Sequence, residues 1–297
     1  MVQKSMAIIE FQRKFNTEEK CRQHLFKHKW PNGFKCDKCG HDVCYYTISR
    51  DLYQCKACRY QSTITTNTVM PGTKLPLQKW FWAIYLISKD KRGISALHLQ
   101  KEIKVSYPTA WGMLHKIRDT MEDRDAVYQL ANIVEIDESY FGGPDGGGKR
   151  GRGTSKSKVV VSVSSTEGGV PLYAKMSVVD NINKDTISAL INENIVPGTT
   201  ITSDGLNVYD HLKDSKTYKY VQLIADFGSL PLVHKVISNA KAYIMGTYHG
   251  LGKKHLQSYL SEYCYRFNRR FWQNQLFDRL LEACSKHKAP TVDVLAL

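Results

Sequence analysis

Four of the eight cysteines stand as two close pairs, Cys36-x2-Cys39 and Cys55-x2-Cys58, with fifteen residues between Cys39 and Cys55. This spacing limits the possible folds more than any other feature of the 297-residue chain. Two thiols three positions apart sit on one tight knuckle and aim at one point, and a second knuckle completes a tetrahedral site. The knuckles read Cys-Asp-Lys-Cys-Gly and Cys-Lys-Ala-Cys-Arg, and the segment between them, with Tyr45, Tyr46, Ile48, Leu52 and Tyr53, reads as short strands. A zinc ribbon is expected, with Cys36, Cys39, Cys55 and Cys58 as ligands of a structural Zn²⁺ that replaces a core too small to stand alone. His41 and Cys44 lie nearby as substitute ligands. A disulfide framework fits poorly, because Met1 to Glu10 has no apolar stretch of signal-peptide length. No apolar run is long enough to span a bilayer. An intracellular, cytoplasmic protein with no membrane partner is expected.

Charge points to the partner. The net charge is +14, which favours a polyanion, with nucleic acid first. Residues 1–130 hold 22 Lys and Arg against 12 Asp and Glu, whereas residues 131–297 hold 20 against 16. The front of the chain is therefore expected to hold DNA.

Residues 5–29 read as amphipathic helix, with Asn16-Thr17-Glu18-Glu19 resembling a helix start. After the ribbon, the aromatic stretch Leu75 to Leu86 reads as a buried helix. Ala96, Leu97, Leu99 and Ile103 have helical spacing, and Ser106-Tyr107-Pro108-Thr109 opens another helix over Ala110 to about Met121. Two short helices around a tight turn make a helix-turn-helix pattern. Its second helix carries Tyr107, Thr109, Trp111, His115, Lys116 and Arg118. Tyr107, Thr109 and Lys116 are the candidate DNA contacts.

The chemistry is expected at Ile133-Val134-Glu135-Ile136-Asp137-Glu138, where alternating apolar and acidic residues mark a strand that ends before a glycine-rich segment. A strand that ends by presenting carboxylates can hold a hard cation. The segment after it carries Lys149, Arg150 and Arg152 among glycines and is expected as a phosphate-touching loop. Strands follow over Val159 to Ser164 and Val170 to Val179, then a helix over Lys184 to Asn194 and a strand ending in Ser203-Asp204-Gly205. The order of strands and helices is that of an RNase H-like α/β domain, so Asp137 and Asp204 are expected on neighbouring strands. Expected boundaries are 1–73 for N-terminal helix and ribbon, 74–126 for the helix-turn-helix, 127–275 for the α/β domain and 276–297 for a tail.

Several motifs in one order now carry a resemblance. Trp30-Pro31-Asn32-Gly33-Phe34-x-Cys36, the two Cys pairs, Glu135 to Gly143, Gly151-Arg152-Gly153, Ser203-Asp204-Gly205, Gly246-Thr247-Tyr248-His249 and Tyr263 to Arg270 resemble insertion-sequence transposases with an N-terminal zinc ribbon and an RNase H-like DDE domain, relatives of the Merlin transposons. The resemblance covers nearly the whole chain and implies Mg²⁺- or Mn²⁺-dependent DNA cleavage and strand transfer. It puts the first two carboxylates on Asp137 and Asp204. The third position falls on Asn239, thirty-five residues after Asp204, which departs from a simple DDE pattern. Ser238-Asn239-Ala240-Lys241 matches a branch that carries Asn followed by Lys. It implies that Asp137 bridges two metal ions, that Asp204 and Asn239 hold one each, and that Lys241 contacts phosphate. Glu262 is a fallback carboxylate, and His249, Arg266, Asn268 and Arg269 are DNA-contacting or site-supporting candidates. Expected partners are terminal inverted repeats and target DNA, bound by a homodimer or higher synaptic complex in the bacterial nucleoid. An inactive, sequence-specific DNA-binding descendant of a transposase is the alternative.

Overall fold

The computed structural model describes residues 6–142, 156–223 and 229–286. The chain divides into two compact units, one of residues 1–121 with 272–297 and one of residues 122–271.

The first unit begins with two helices, α1 (Ile8–Lys14) and α2 (Glu18–Lys29). The helix start read at Asn16-Thr17-Glu18-Glu19 is where α2 begins, the Thr17 hydroxyl accepting the Lys20 N–H at 3.2 Å. The ribbon follows as a three-stranded antiparallel sheet of β1 (Cys44–Thr47), β2 (Leu52–Cys55) and β3 (Gln61–Ser62). Both knuckles end in left-handed backbone, at Gly40 (φ 73°) and Arg59 (φ 61°). Glycine suits that turn, and arginine adopts it at a cost.

Three helices complete the helical part: α3 (Leu77–Lys89), α4 (Ala96–Ile103) and α5 (Tyr107–Ala126). The α4–α5 turn passes through Lys104 in left-handed backbone. Helix α5 opens at Tyr107, three residues before the expected start, with Ser106 Oγ 3.4 Å from the Thr109 N–H. The Glu18 carboxylate caps α3, accepting the N–H groups of Leu77 (2.7 Å) and Gln78 (3.2 Å). An aromatic cluster forms the core here: Phe11 stacks on Tyr85 at 4.2 Å, Phe15 meets Phe81 at 5.0 Å, and Phe277 closes on Phe11 at 5.4 Å. Phe277 belongs to α9 (Leu276–Lys286), which opens the stretch expected as a tail. Its apolar face is buried through Leu276, Phe277, Leu280, Leu281 and Cys284, and the Cys284 carbonyl accepts the Val69 N–H at 2.8 Å.

The second unit is built on a five-stranded sheet of β4 (Ile133–Phe141), β5 (Ser157–Ser165), β6 (Pro171–Val179), β7 (Thr200–Ser203) and β8 (Lys219–Gln222), in the order β6-β5-β4-β7-β8. Strands β4, β5 and β6 pair antiparallel, and β7 and β8 join β4 in parallel. In sequence order this is 3-2-1-4-5, the RNase H-like arrangement. Both faces of the sheet are covered. Helix α6 (Lys184–Asn194) and the 3-10 turn Asn207–Leu212 cover one face, with Val134, Ile136, Val160, Ile187, Ile191, Ile201 and Tyr209 buried between. Helices α7 (Pro231–Tyr248) and α8 (Lys253–Asn268) cover the other, over Phe141, Val159, Val161, Ala174 and Met176.

Edge strand β6 is closed by two amide side chains of α8. Asn268 Oδ1 accepts the Ala174 N–H at 2.7 Å while its Nδ2 donates to the Ala174 carbonyl at 3.1 Å. Gln257 does the same about three turns earlier on α8, accepting from Val178 N–H at 2.8 Å and donating to the Met176 carbonyl at 3.0 Å. Backbone groups that would template a further strand are thus occupied.

Candidate active site

The pleat of β4 sends Glu135, Asp137 and Phe141 to the α7 side and Val134, Ile136 and Glu138 to the α6 side. Three acidic residues within four positions thereby take three different tasks. Glu135 caps α7: its Oε2 accepts the N–H groups of Leu232 (2.9 Å) and Val233 (2.8 Å). A carboxylate there satisfies two donors with no partner inside the helix and meets the positive end of its dipole. Burial raises the Glu135 carboxyl above its ordinary range, against those two hydrogen bonds. Glu138 faces the other way and accepts the hydroxyl of the fully buried Tyr209 at 3.2 Å.

Asp137 sits at the middle of β4, largely buried. Its neighbour across the parallel ladder follows from the register: Glu135 pairs with Thr202, so two residues on, Asp137 stands beside Asp204. Burial raises the Asp137 carboxyl, and the nearby charge of Asp204 adds to the effect. The same two charges, with that of Glu138, help push the Tyr209 hydroxyl far above its usual range, after burial. Two carboxylates crowded on adjacent strands, one held with its charged form disfavoured, are a donor set that a hard divalent cation fits.

The third group at Asp137 is one that sequence reasoning missed. His234 Nε2 lies 3.1 Å from Asp137 Oδ2, from the first turn of α7, which Glu135 holds. Lys241, seven positions on and so nearly in line with His234, sets its ammonium 5.5 Å from the Phe141 ring centroid. Desolvation, then the charge of Lys156, lowers the Lys241 ammonium, and Asp137 opposes this. Asn239 is five positions from His234, about 140° round the helix. It is exposed. The usable signal for His234 is its place three residues after Pro231, a residue suited to the first position of a helix.

Leu230 and His249, at the two ends of α7, both take left-handed backbone (φ 57° and 55°). Leu230 is fully buried and precedes a proline, so this costs free energy, on the order of 1–3 kcal/mol. His249 serves as the helix's left-handed C-terminal residue and is exposed. The other C-terminal candidates are structural. Glu262 is wholly buried and pairs with Arg266 at 2.8 Å, which removes it as a fallback ligand. Arg269 pairs with Asp125 at 2.7 Å, and Asn268 donates to Asp125 besides clamping β6.

In the ribbon, the Cys36–Cys58 and Cys39–Cys55 sulfurs are each 3.6 Å apart, and all four lie within 4.8 Å of one another. Tetrahedral Zn–S bonds require sulfurs about 3.8 Å apart, so the set fits Zn²⁺. Burial opposes charge at Cys36, but the N–H groups of Cys39 and Lys38 and the neighbouring thiols outweigh it and draw that thiol down to about 7. His41 and Cys44 stand outside the four-sulfur cluster. Of the helix-turn-helix candidates, Tyr107 is exposed and Thr109 and Lys116 are half-buried. His115 and Arg118 are buried, so they belong to the core and not to a surface. Lys149, Arg150 and Arg152 lie outside the described residues.

Two family models match this chain, an ISXO2-like transposase domain over residues 129–268 and a transposase zinc-ribbon domain over residues 16–61. A protein of the transposable element ISH50 from Halobacterium salinarum is 27% identical over 230 residues, covering 70% of this chain and 74% of the relative. Two similar solved structures are remote. The simian T-cell lymphotropic virus intasome with PP2A regulatory subunit B56 gamma has a TM-score of 0.30 and 13% identity, over 62% of this chain and 65% of the other. The pre-cleavage Mos1 transpososome has a TM-score of 0.27 and 14% identity, over 69% of this chain and 78% of the other.

Proposed function

Because this chain belongs to the ISXO2-like insertion-sequence DNA transposases, we propose that its second unit cuts and joins phosphodiesters at Asp137 and Asp204. The carrying observation is that Asp137, in the middle of β4, and Asp204, just past the end of β7, come together on adjacent parallel strands, with His234 and Lys241 nearby. Asp137 and Asp204 would hold Mg²⁺ or Mn²⁺. Such a bound cation supplies charge neutralisation of the phosphodiester and activation of the attacking oxygen. In this reading the nearest third group is His234, and Asn239 gives up the role that the resemblance assigned to it. His234 holds and orients Asp137, and its ring nitrogen can accept or return a proton at the attacking oxygen. Lys241 offers a cation to a phosphate oxygen.

The chemistry needs no protein nucleophile. Water attacks the phosphorus at the element's end, the P–O3′ bond breaks, and a free 3′-OH leaves. That 3′-OH then attacks a target phosphodiester, forming a new P–O bond as the target's own 3′ oxygen leaves. The ribbon and α4–α5 would hold the terminal inverted repeats through Tyr107, Thr109 and Lys116, with Lys149, Arg150 and Arg152 on phosphates. Two ends joined at once call for a dimer or larger synaptic complex.

The test is Mg²⁺-dependent nicking and strand transfer on DNA carrying the element's own ends. Asp137→Ala and Asp204→Ala should each lower the rate about a thousandfold while leaving end binding intact. End binding without any cutting by the wild-type chain, in Mg²⁺ or Mn²⁺, would identify the inactive DNA-binding descendant instead.

A further inference from the structure

A second cluster of metal-ligating groups lies outside the ribbon. His24 and His28 occupy positions i and i+4 of α2, on one face, and Asp278 reaches them from α9. His24 Nε2 is 3.2 Å from His28 Nε2 and 3.7 Å from Asp278 Oδ1. One ligand atom from each of the three side chains falls within 4.8 Å of the others. Nothing in the proposed chemistry uses these residues.

The geometry is poor for hydrogen bonding and good for coordination. Two imidazole nitrogens facing each other share at most one proton. Asp278 Oδ1 is buried with no hydrogen-bond partner, since 3.7 Å is too long for one. A zinc ion bound at 2.0–2.2 Å by nitrogen and oxygen in a tetrahedron sets its ligand atoms about 3.4 Å apart, close to both separations here. The His24 ring is held edge-on by Phe15 (4.9 Å) and Phe81 (6.1 Å), so its nitrogen is aimed before any ion arrives.

We infer that His24, His28 and Asp278 form a second site for a divalent transition metal, Zn²⁺ foremost, which ties α2 to α9. Two neutral imidazoles and one carboxylate suit a borderline cation and leave a fourth position open. Glu282, one turn beyond Asp278, acts electrostatically on His28 but pairs with Lys286 at 2.6 Å, so water takes that position. The Lys14 charge acts on His28 and Asp278 in the sense that opposes a cation there. The role is structural, a clamp between two distant parts of the sequence. It is independent of the catalytic reading.

The experiment is zinc content of the purified full-length chain after equilibration at buffered free Zn²⁺ and removal of excess. The wild type should hold two ions per chain, and His28→Gln and Asp278→Asn should hold one, with the ribbon's ion retained. Substitution with Co²⁺ separates the sites without any variant. The second ion should add visible d–d absorption with no matching gain in thiolate charge transfer. A folded wild-type chain with one zinc, or folded variants that keep two, would overturn the inference. So would a second Co²⁺ that adds thiolate charge transfer.

Discussion

His234 and Asn239 make the residue-scale question, because five positions on one helix separate the group at Asp137 from the group the motif pattern selects. If proximity to Asp137 decides, His234→Ala lowers the cleavage rate about tenfold to a hundredfold, whereas Asn239→Ala leaves it within a factor of about two. Single-turnover cleavage on pre-bound ends measures this, and a larger loss in the Asn239 variant would restore the motif reading. Asp137 itself was legible in the sequence because a period-2 strand pattern fixes which acidic residue points where. His234 was not, because its role depends on a helix whose start Glu135 sets across the sheet. A second residue-scale prediction concerns Glu122. Burial raises its carboxyl above the ordinary range, partly offset by Ser261. A raised carboxyl gives its full stability below the unfolded value, near 4.3, and loses it as the pH climbs through the folded value. Glu122→Gln should therefore raise the melting temperature at pH 7–8, and the gain should vanish by about pH 4. Thermal unfolding followed across that range checks it.

At the scale of elements, most of the helices and strands followed from pattern alone. Helix α6 falls on Lys184–Asn194 and β6 ends at Val179 as the sequence reading has them. What pattern does not carry is which polar residue binds which backbone. The conspicuous run from Tyr263 to Arg270 suggested DNA contacts or site support, yet Arg266 satisfies the buried Glu262, Arg269 the half-buried Asp125, and Asn268 closes an open sheet edge. A surface phosphate contact and an internal clamp draw on the same residue types, and only the packing of α8 against β6 separates them. Asn268→Ala should cost about 2–4 kcal/mol, from two lost backbone hydrogen bonds and an orphaned Asp125 acceptor. Gln257→Ala combined with it should leave β6 unpaired and prone to association. Denaturant unfolding and light scattering would read the two effects. If Asn268 instead served DNA, the single variant would keep its stability and lose affinity.

For the whole molecule, charge is the property that no single element carries. The surplus of basic residues in the first 130 positions implies that a large share of end binding is phosphate neutralisation, which releases counterions and weakens linearly on a log–log plot against salt. A contact set of about six phosphates would lose roughly a thousandfold in affinity between 50 and 200 mM salt. In the proposed reading, Lys149, Arg150 and Arg152, in a sequence segment without apolar residues, contact phosphates. Changing all three to Ala should lower the salt slope by about 2.7, at 0.9 per contact, and should weaken specific and nonspecific DNA alike. Lys116 on α5 would contribute one contact to the same slope. Tyr107→Ala should behave differently: it carries no charge, so any loss there should be independent of salt and confined to the end sequence. Fluorescence anisotropy titrations at four salt concentrations, on end DNA and on a scrambled duplex, separate the two kinds of contact. An unchanged slope in the triple variant would remove that segment from the DNA interface and leave the helices and ribbon to account for the basic surplus.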